Sequence, residues 1–156
     1  MRDIDQLLHT YGESHQNATN KFIHWICVPL IMFSLLTMLF SIPFFLERSL
    51  WANWAFVILI GAWIYYARLS VAMFFGFLVI GFAMLYGIQV LYAMADYDAG
   101  RLAFYALLIF VAAWIGQFIG HKIEGKKPSF LQDIQFLLIG PAWLMHFVFK
   151  KVGIGF

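Results

Sequence analysis

The sequence predicts an all-α integral membrane protein. About four transmembrane helices are expected, with an interfacial helix at the N-terminus and a broken helix at the C-terminus that re-enters the membrane or lies along its surface. Three observations carry this. The 156 residues are 63% apolar and only 12% charged, with a mean hydropathy of +0.83, whereas a soluble domain carries about 25% charge. The apolar residues fall into runs of membrane-crossing length, separated by short polar breaks. The basic residues gather on one side of the implied topology. Residues 1–156 therefore read as a single polytopic membrane domain.

Residues 3–16 place Ile4, Leu7, Leu8 and Tyr11 at helical spacing, the pattern of a short amphipathic helix at a membrane surface. No apolar stretch with a cleavage site precedes it, so no removable signal peptide is expected. Asn17-Ala-Thr-Asn20 breaks the pattern, and Thr19 or Asn20 is the expected cap of the next helix. The first span covers about 21–42 and contains Pro29, which should kink it. The second covers about 51–67, with Trp51, Trp54, Tyr65 and Tyr66 near its ends. Only 67–70 separates it from the third, 71–95, so these two form a tight hairpin. Gly76, Gly81 and Gly87 in the third would let neighbouring helices come close. Asp96, Asp98, Gly100 and Arg101 form a loop before the fourth span, 102–121. The last apolar segment, 130–149, starts with a capping-box pattern at Ser129–Gln132. It carries Asp133 and Gln135 early and Gly140-Pro141 in its middle, which a lipid-facing span would not favour.

With four spans, Arg2, Lys21, Arg68, Lys122, Lys126 and Lys127 fall on the N-terminal side, against Arg48 and Arg101 on the other. That bias puts the N-terminus in the cytoplasm. Lys150 and Lys151 join the majority side only if 130–149 returns, so the rule favours return. The single cysteine, Cys27, excludes an internal disulfide and a CxxC redox motif. Nothing points to a nucleic-acid partner, and oligomerisation stays open.

Chemistry concentrates where the fourth span ends. Gln117, His121 and Glu124 share one helical face, followed by Lys122, Lys126, Lys127 and Pro128. A helix end with a histidine and a lysine reaching for headgroups would look similar. A second cluster changes the weighing. The break at 17–20 lets the short helix fold back and bring His15 toward His24. An even number of crossings separates His24 from His121, which puts both at the cytoplasmic interface. His15, His24, His121 and Glu124 can then converge, a set that suits non-haem Fe(II) with open positions, and also zinc by ligand type. His9 reads as a solvated surface residue and His146 as one that packs or hydrogen-bonds. Glu124 has a plainer alternative as an ion-pair partner of Lys122 or Lys127.

These residues carry a resemblance. Tyr11-Gly-Glu-Ser-His15, Asn20-Lys-Phe-Ile-His24 and Pro29 resemble the N-terminal motif of the 2-hydroxy-fatty-acid dioxygenase family, iron-dependent membrane enzymes known from fungal phytosphingosine degradation and with bacterial relatives. Gln117-Phe-Ile-Gly-His121, with Glu124 and Pro128, resembles its second motif. The resemblance runs nearly the whole chain. It implies Fe(II)-dependent removal of one carbon from a 2-hydroxy fatty acid, with O2 as co-substrate, in a bacterial inner membrane. His15, His24 and His121 are then the implied metal ligands, with Glu124 and Gln117 as catalytic candidates. Lys122, Lys126, Lys127 and Asn20 are the candidates for substrate binding. The carboxylate and hydroxyl of such an acid can chelate one metal while the tail stays among helices or in lipid. Two other classes compete. A small-solute transporter or channel is disfavoured because the spans have almost no ionisable residue near mid-membrane. A bis-His haem electron carrier would use His24 and His121 as axial ligands.

Overall fold

The computed structural model describes residues 3–126 and 136–155. Among them the chain forms α1 (Asp3–Gly12), α2 (Ala18–Ser41), α3 (Trp54–Leu69), α4 (Val71–Met94), α5 (Ala99–Glu124) and α6 (Phe136–Val152). At ~1.5 Å per residue, the 24 residues of α2 and α4 and the 26 of α5 exceed the ~30 Å apolar core of a bilayer. All three are apolar enough to cross. The expected second span is shorter: α3 has 16 residues, about 24 Å. The protein is thus an all-helical membrane protein with three long spans and a fourth, shorter apolar helix.

Caps fix the helix starts, and they move two expected boundaries. Asn17, rather than Thr19 or Asn20, caps α2: its side chain accepts from Thr19 N at 2.9 Å and Asn20 N at 3.3 Å. The helix therefore begins one turn early and takes Asn20 into its first turn. Asp98 accepts from Arg101 N at 2.7 Å, so α5 also begins before the expected position. Ser70 ends α3 and caps α4, accepting from Met73 N at 3.3 Å, which makes the tight hairpin. At the far end of α5, Gly125 adopts φ +73, a conformation glycine reaches without strain.

α2 and α5 form the main helix pair. Gly116 and Gly120, four apart on α5, allow the approach. A Cβ at Gly116 would lie 2.6 Å from Cys27 Sγ, and one at Gly120 would lie 2.5 Å from Asn20 Oδ1. This small-residue pair went unread in the sequence. The three glycines of α4 behave as expected: Gly76 faces Phe149, Gly81 faces Trp63 and Gly87 faces Phe33, each too close for an added methyl group to fit freely. Side chains such as Phe75, Val79, Leu108 and Ile115 point outward, the apolar belt that lipid requires of a bundle this poor in charge.

α1 turns Ile4, Leu8 and Tyr11 inward. Tyr11 meets Trp143 and Phe136, with ring centroids 5.5 and 5.9 Å apart, so the apolar face of α1 covers α6. Gly140-Pro141 does not interrupt α6, which stays helical through it. Pro141 lacks the N–H that would bond the Leu137 carbonyl and disturbs the turn before it. Tyr66 Oη donates to the next carbonyl, Leu138 O, at 2.8 Å and so ties α3 to this turn. Residues 139–144 are all buried, which places α6 against other helices instead of in an apolar belt. The proposed cap Ser129–Gln132 and Asp133 lie outside the described residues.

The Gly116 contact gives a stability prediction. Gly116→Val should lower stability by ~1–3 kcal/mol, the usual effect of overpacking, read as a lower Tm in detergent. Gly61→Val, at a position with open space around the added atom, should change Tm little.

Candidate metal centre

Three helices bring the histidines together. His15 follows α1, His24 lies one turn and a half into α2, and His121 occupies the last turn of α5. All three are buried, and one ring nitrogen from each lies within 4.8 Å of the others. Ring centroids are 4.3 Å apart for His15 and His24, 5.0 Å for His24 and His121, and 5.1 Å for His15 and His121. The fold-back at 17–20 and the side shared by His24 and His121 are therefore as expected.

Backbone carbonyls set the tautomers. His15 Nδ1 donates to Tyr11 O at 2.7 Å, and His24 Nδ1 donates to Asn20 O at 2.9 Å. A carbonyl oxygen only accepts, so the proton of each neutral ring is on Nδ1 and the lone pair is on Nε2. The two Nε2 atoms nevertheless face each other at 2.9 Å. Two facing lone pairs repel unless a proton or a cation lies between them. Burial, the largest influence on His15, pushes its pKa down to about 4, so at pH 7 no proton is supplied from that side. A shared cation resolves the contact. Two nitrogens bonded at ~2.0–2.1 Å to one ion, at a right angle, stand about 2.9 Å apart. His121 Nδ1 is buried without a hydrogen-bond partner, a further polar atom that the protein alone leaves unsatisfied. Nδ1–H donated to a carbonyl is also the usual way a metal-binding histidine is held. The donor set therefore fits a divalent transition metal.

Tyr11 and Trp143 wall His15. The Tyr11 ring stacks on it at 4.2 Å with an interplanar angle of 12°, and the Trp143 ring centroid lies 5.1 Å away. Burial raises the Tyr11 phenol well above its ordinary value, so Tyr11 stays neutral. Sequence reasoning assigned neither residue a role. The i, i+4 spacing of Tyr11 and His15 was the available signal, whereas Trp143 had none.

Glu124 does something more specific than pair with lysine. Its Oε1 accepts from Gln16 N at 2.7 Å, and its Oε2 accepts from Asn17 N and Asn20 Nδ2, both at 2.9 Å. The carboxylate at the end of α5 thus grips the turn between α1 and α2. Charge-assisted bonds of this kind are about twice as strong as neutral ones. Asn20 is buried and joins this grip, with its Oδ1 against Gly120. Gln117 is buried and lines a cavity of ≈50 Å³ with His24, His121 and Tyr11. Lys122 and Lys126 are exposed, and Lys126 Nζ donates to Glu13 O at 2.7 Å; Lys127 lies outside the described residues. Two other lysines, Lys21 and Lys150, line a wider cavity of ≈370 Å³ with His15 and His146 on the outer side of the cluster. His146 Nδ1 donates to the Trp143 carbonyl. His9 is at the surface, 3.5 Å from Glu13.

A helical membrane bundle closing over three imidazoles defines a class: a membrane protein with three histidines that could hold a metal ion at one end of its helices. The chain belongs to the Mpo1-like family, whose model, described as 2-hydroxy-palmitic acid dioxygenase Mpo1-like, matches residues 1–152. It is 29% identical over 154 residues to the 2-hydroxy-palmitic acid dioxygenase MPO1 of Saccharomyces cerevisiae, covering 95% of this chain and 81% of that protein. No solved structure matches it.

The grip of Glu124 yields a second prediction. Glu124→Gln keeps the shape but replaces one acceptor oxygen with an NH2 that faces other donors. Metal affinity should fall ~10–100-fold, as when a group orienting a ligand is lost, with the helical content unchanged. Chelator competition measures this. Unaltered affinity would reduce Glu124 to a surface contact.

Proposed function

We propose that the protein is an Fe(II)-dependent dioxygenase that removes one carbon from 2-hydroxy fatty acids at the cytoplasmic face of a bacterial inner membrane. The observation that carries this is the pair of Nε2 lone pairs facing at 2.9 Å beside His121, in a chain of the Mpo1-like family. His15, His24 and His121 would hold the iron. With three protein ligands, the metal would keep positions open for substrate and O2. Iron supplies the electron transfer that lets O2 react with a closed-shell acid.

The overall balance needs no other oxidant. R–CH(OH)–COOH plus O2 gives R–COOH, CO2 and H2O. The C1–C2 bond breaks, C2 loses three electrons, C1 loses one, and O2 takes up all four. The protein's residues supply the setting. Glu124, through Gln16, Asn17 and Asn20, keeps the His15 turn closed on the other two imidazoles. Tyr11 and Trp143 keep bulk water from His15. Gln117 lines the cavity of ≈50 Å³, room for a few molecules the size of water or O2, and its amide can bond to a substrate oxygen there. Lys122 and Lys126 give the end of α5 a positive rim that draws a carboxylate from the membrane surface. The bias of basic residues toward this end supports a cytoplasmic placement.

The haem reading loses support from the same dimensions: a space of ≈50 Å³ beside His24 and His121 does not admit a porphyrin between them.

His24→Ala and His121→Ala should each abolish iron binding and turnover of 2-hydroxy acids, because a site of three ligands tolerates the loss of one poorly. Both variants should still insert, since the apolar spans are intact. His9→Ala should be near neutral. Iron content and lipid product analysis check this, and normal values in both buried variants would overturn the oxygenase reading.

A further inference from the structure

The cavity beside His24 and His121 has a neighbour in the bundle. Ile31, Met32, Leu137 and Pro141 line it, and the same four residues line a second cavity of ≈130 Å³ among α2, α3, α4 and α6. The second cavity is walled by apolar side chains and reaches Leu36, twelve residues beyond His24 on α2, about 18 Å of helix. Leu35 and Ile58 are exposed at its rim, so it opens sideways onto the surface that lipid covers.

One wall is closely packed. Trp63 Nε1 donates to Phe77 O at 2.9 Å, and the Trp63 ring lies so close over Gly81 that an added Cβ would stand 2.7 Å from Cζ2. Tyr66 stacks on Phe77 at 3.8 Å. Met32 and Met84, by contrast, are adaptable side chains on the wall.

We propose that this second cavity holds the distal acyl chain of the substrate and that Trp63, seated on Gly81, bounds the space the chain can fill. The inference rests on the reading of the histidine centre as a 2-hydroxy-acid oxygenase. An acid whose two oxygens sit at the imidazoles must put its tail into apolar space within reach. The ≈50 Å³ beside the histidines is too small for a long chain, and the shared residues mark the adjoining space. A third cavity, of ≈120 Å³, also touches Val28, Met32 and Pro141. It runs from Trp25 and Val148, both exposed, to Ile80 and Met84, which it shares with the second cavity, whereas only the second reaches Leu36 and Leu59. The second cavity borders the one beside the histidines along four residues and the third along three, so the second is the one the tail reaches most directly.

The full-length protein in detergent or vesicles supplies the test. A saturated 2-hydroxy acid carrying a diazirine on its terminal carbon should label α3 between Ile58 and Trp63, which line the second cavity and not the third. Labelling confined to Leu144–Val148, or to outward residues such as Phe75 and Val79, overturns the proposal. Turnover across a series of chain lengths is the second arm. Ala62→Phe, which fills the cavity, should lower kcat/KM for long chains relative to short ones by at least about tenfold, the scale set by a poorly fitting apolar pocket. Trp63→Ala should shift the preference toward longer chains. An unchanged length profile in both variants overturns the proposal. Absence of turnover for every 2-hydroxy acid in the unsubstituted protein would remove the oxygenase reading instead, and the labelling would still decide where the tail lies.

Discussion

Two imidazole lone pairs held 2.9 Å apart are a costly arrangement for a protein alone, and much of this structure serves to impose it. Each ring is locked through Nδ1 to a carbonyl one turn earlier, so neither can rotate to relieve the contact. Burial denies the His15 ring the proton that would turn repulsion into a hydrogen bond. A polar group buried in apolar surroundings without a partner costs free energy, and His121 Nδ1 adds such a group beside them. Binding of one cation relieves all of these, and its free energy then stabilises the folded helices that made the site.

The helix packing explains how the pressure is maintained. Gly116 and Gly120 let α5 approach α2 until Asn20 and Cys27 touch its backbone. That approach fixes the height of His121 against His24. Glu124, just past His121, then reaches the turn that carries His15. One carboxylate therefore ties the third ligand to the turn that joins the other two. In lipid the helices gain little from apolar contact with each other, since the tails are as apolar as leucine, so close packing and polar ties of this kind carry the association.

Much of this was legible in the sequence. Hydropathy and length gave the spans, because crossing a bilayer demands both together. The break at Asn17–Asn20 and the parity of crossings placed His15, His24 and His121 together before any coordinates were considered. What remained hidden depended on side-chain direction. Glu124 has lysines at neighbouring positions, and periodicity could not reveal that it reaches the amides of Gln16 and Asn17, more than a hundred residues away. Trp143 and the fixed Trp63–Gly81 contact are ordinary apolar letters until the helices are set side by side. Gly140-Pro141 misled as a helix breaker because tertiary context overrides local propensity: α6 is buried across this pair and tied to Tyr66, distant in sequence. The cap of α2 was misplaced because three residues of the break are chemically able to cap, and only backbone geometry selects Asn17.

The central claim is that His15, His24 and His121 bind one iron together, and metal analysis with X-ray absorption of anaerobically purified protein tests it most directly. The account predicts one iron ion per chain, a first shell rich in imidazole nitrogen, and no Soret band. Full turnover by metal-free protein, or a haem spectrum accounting for all of the iron, would contradict it.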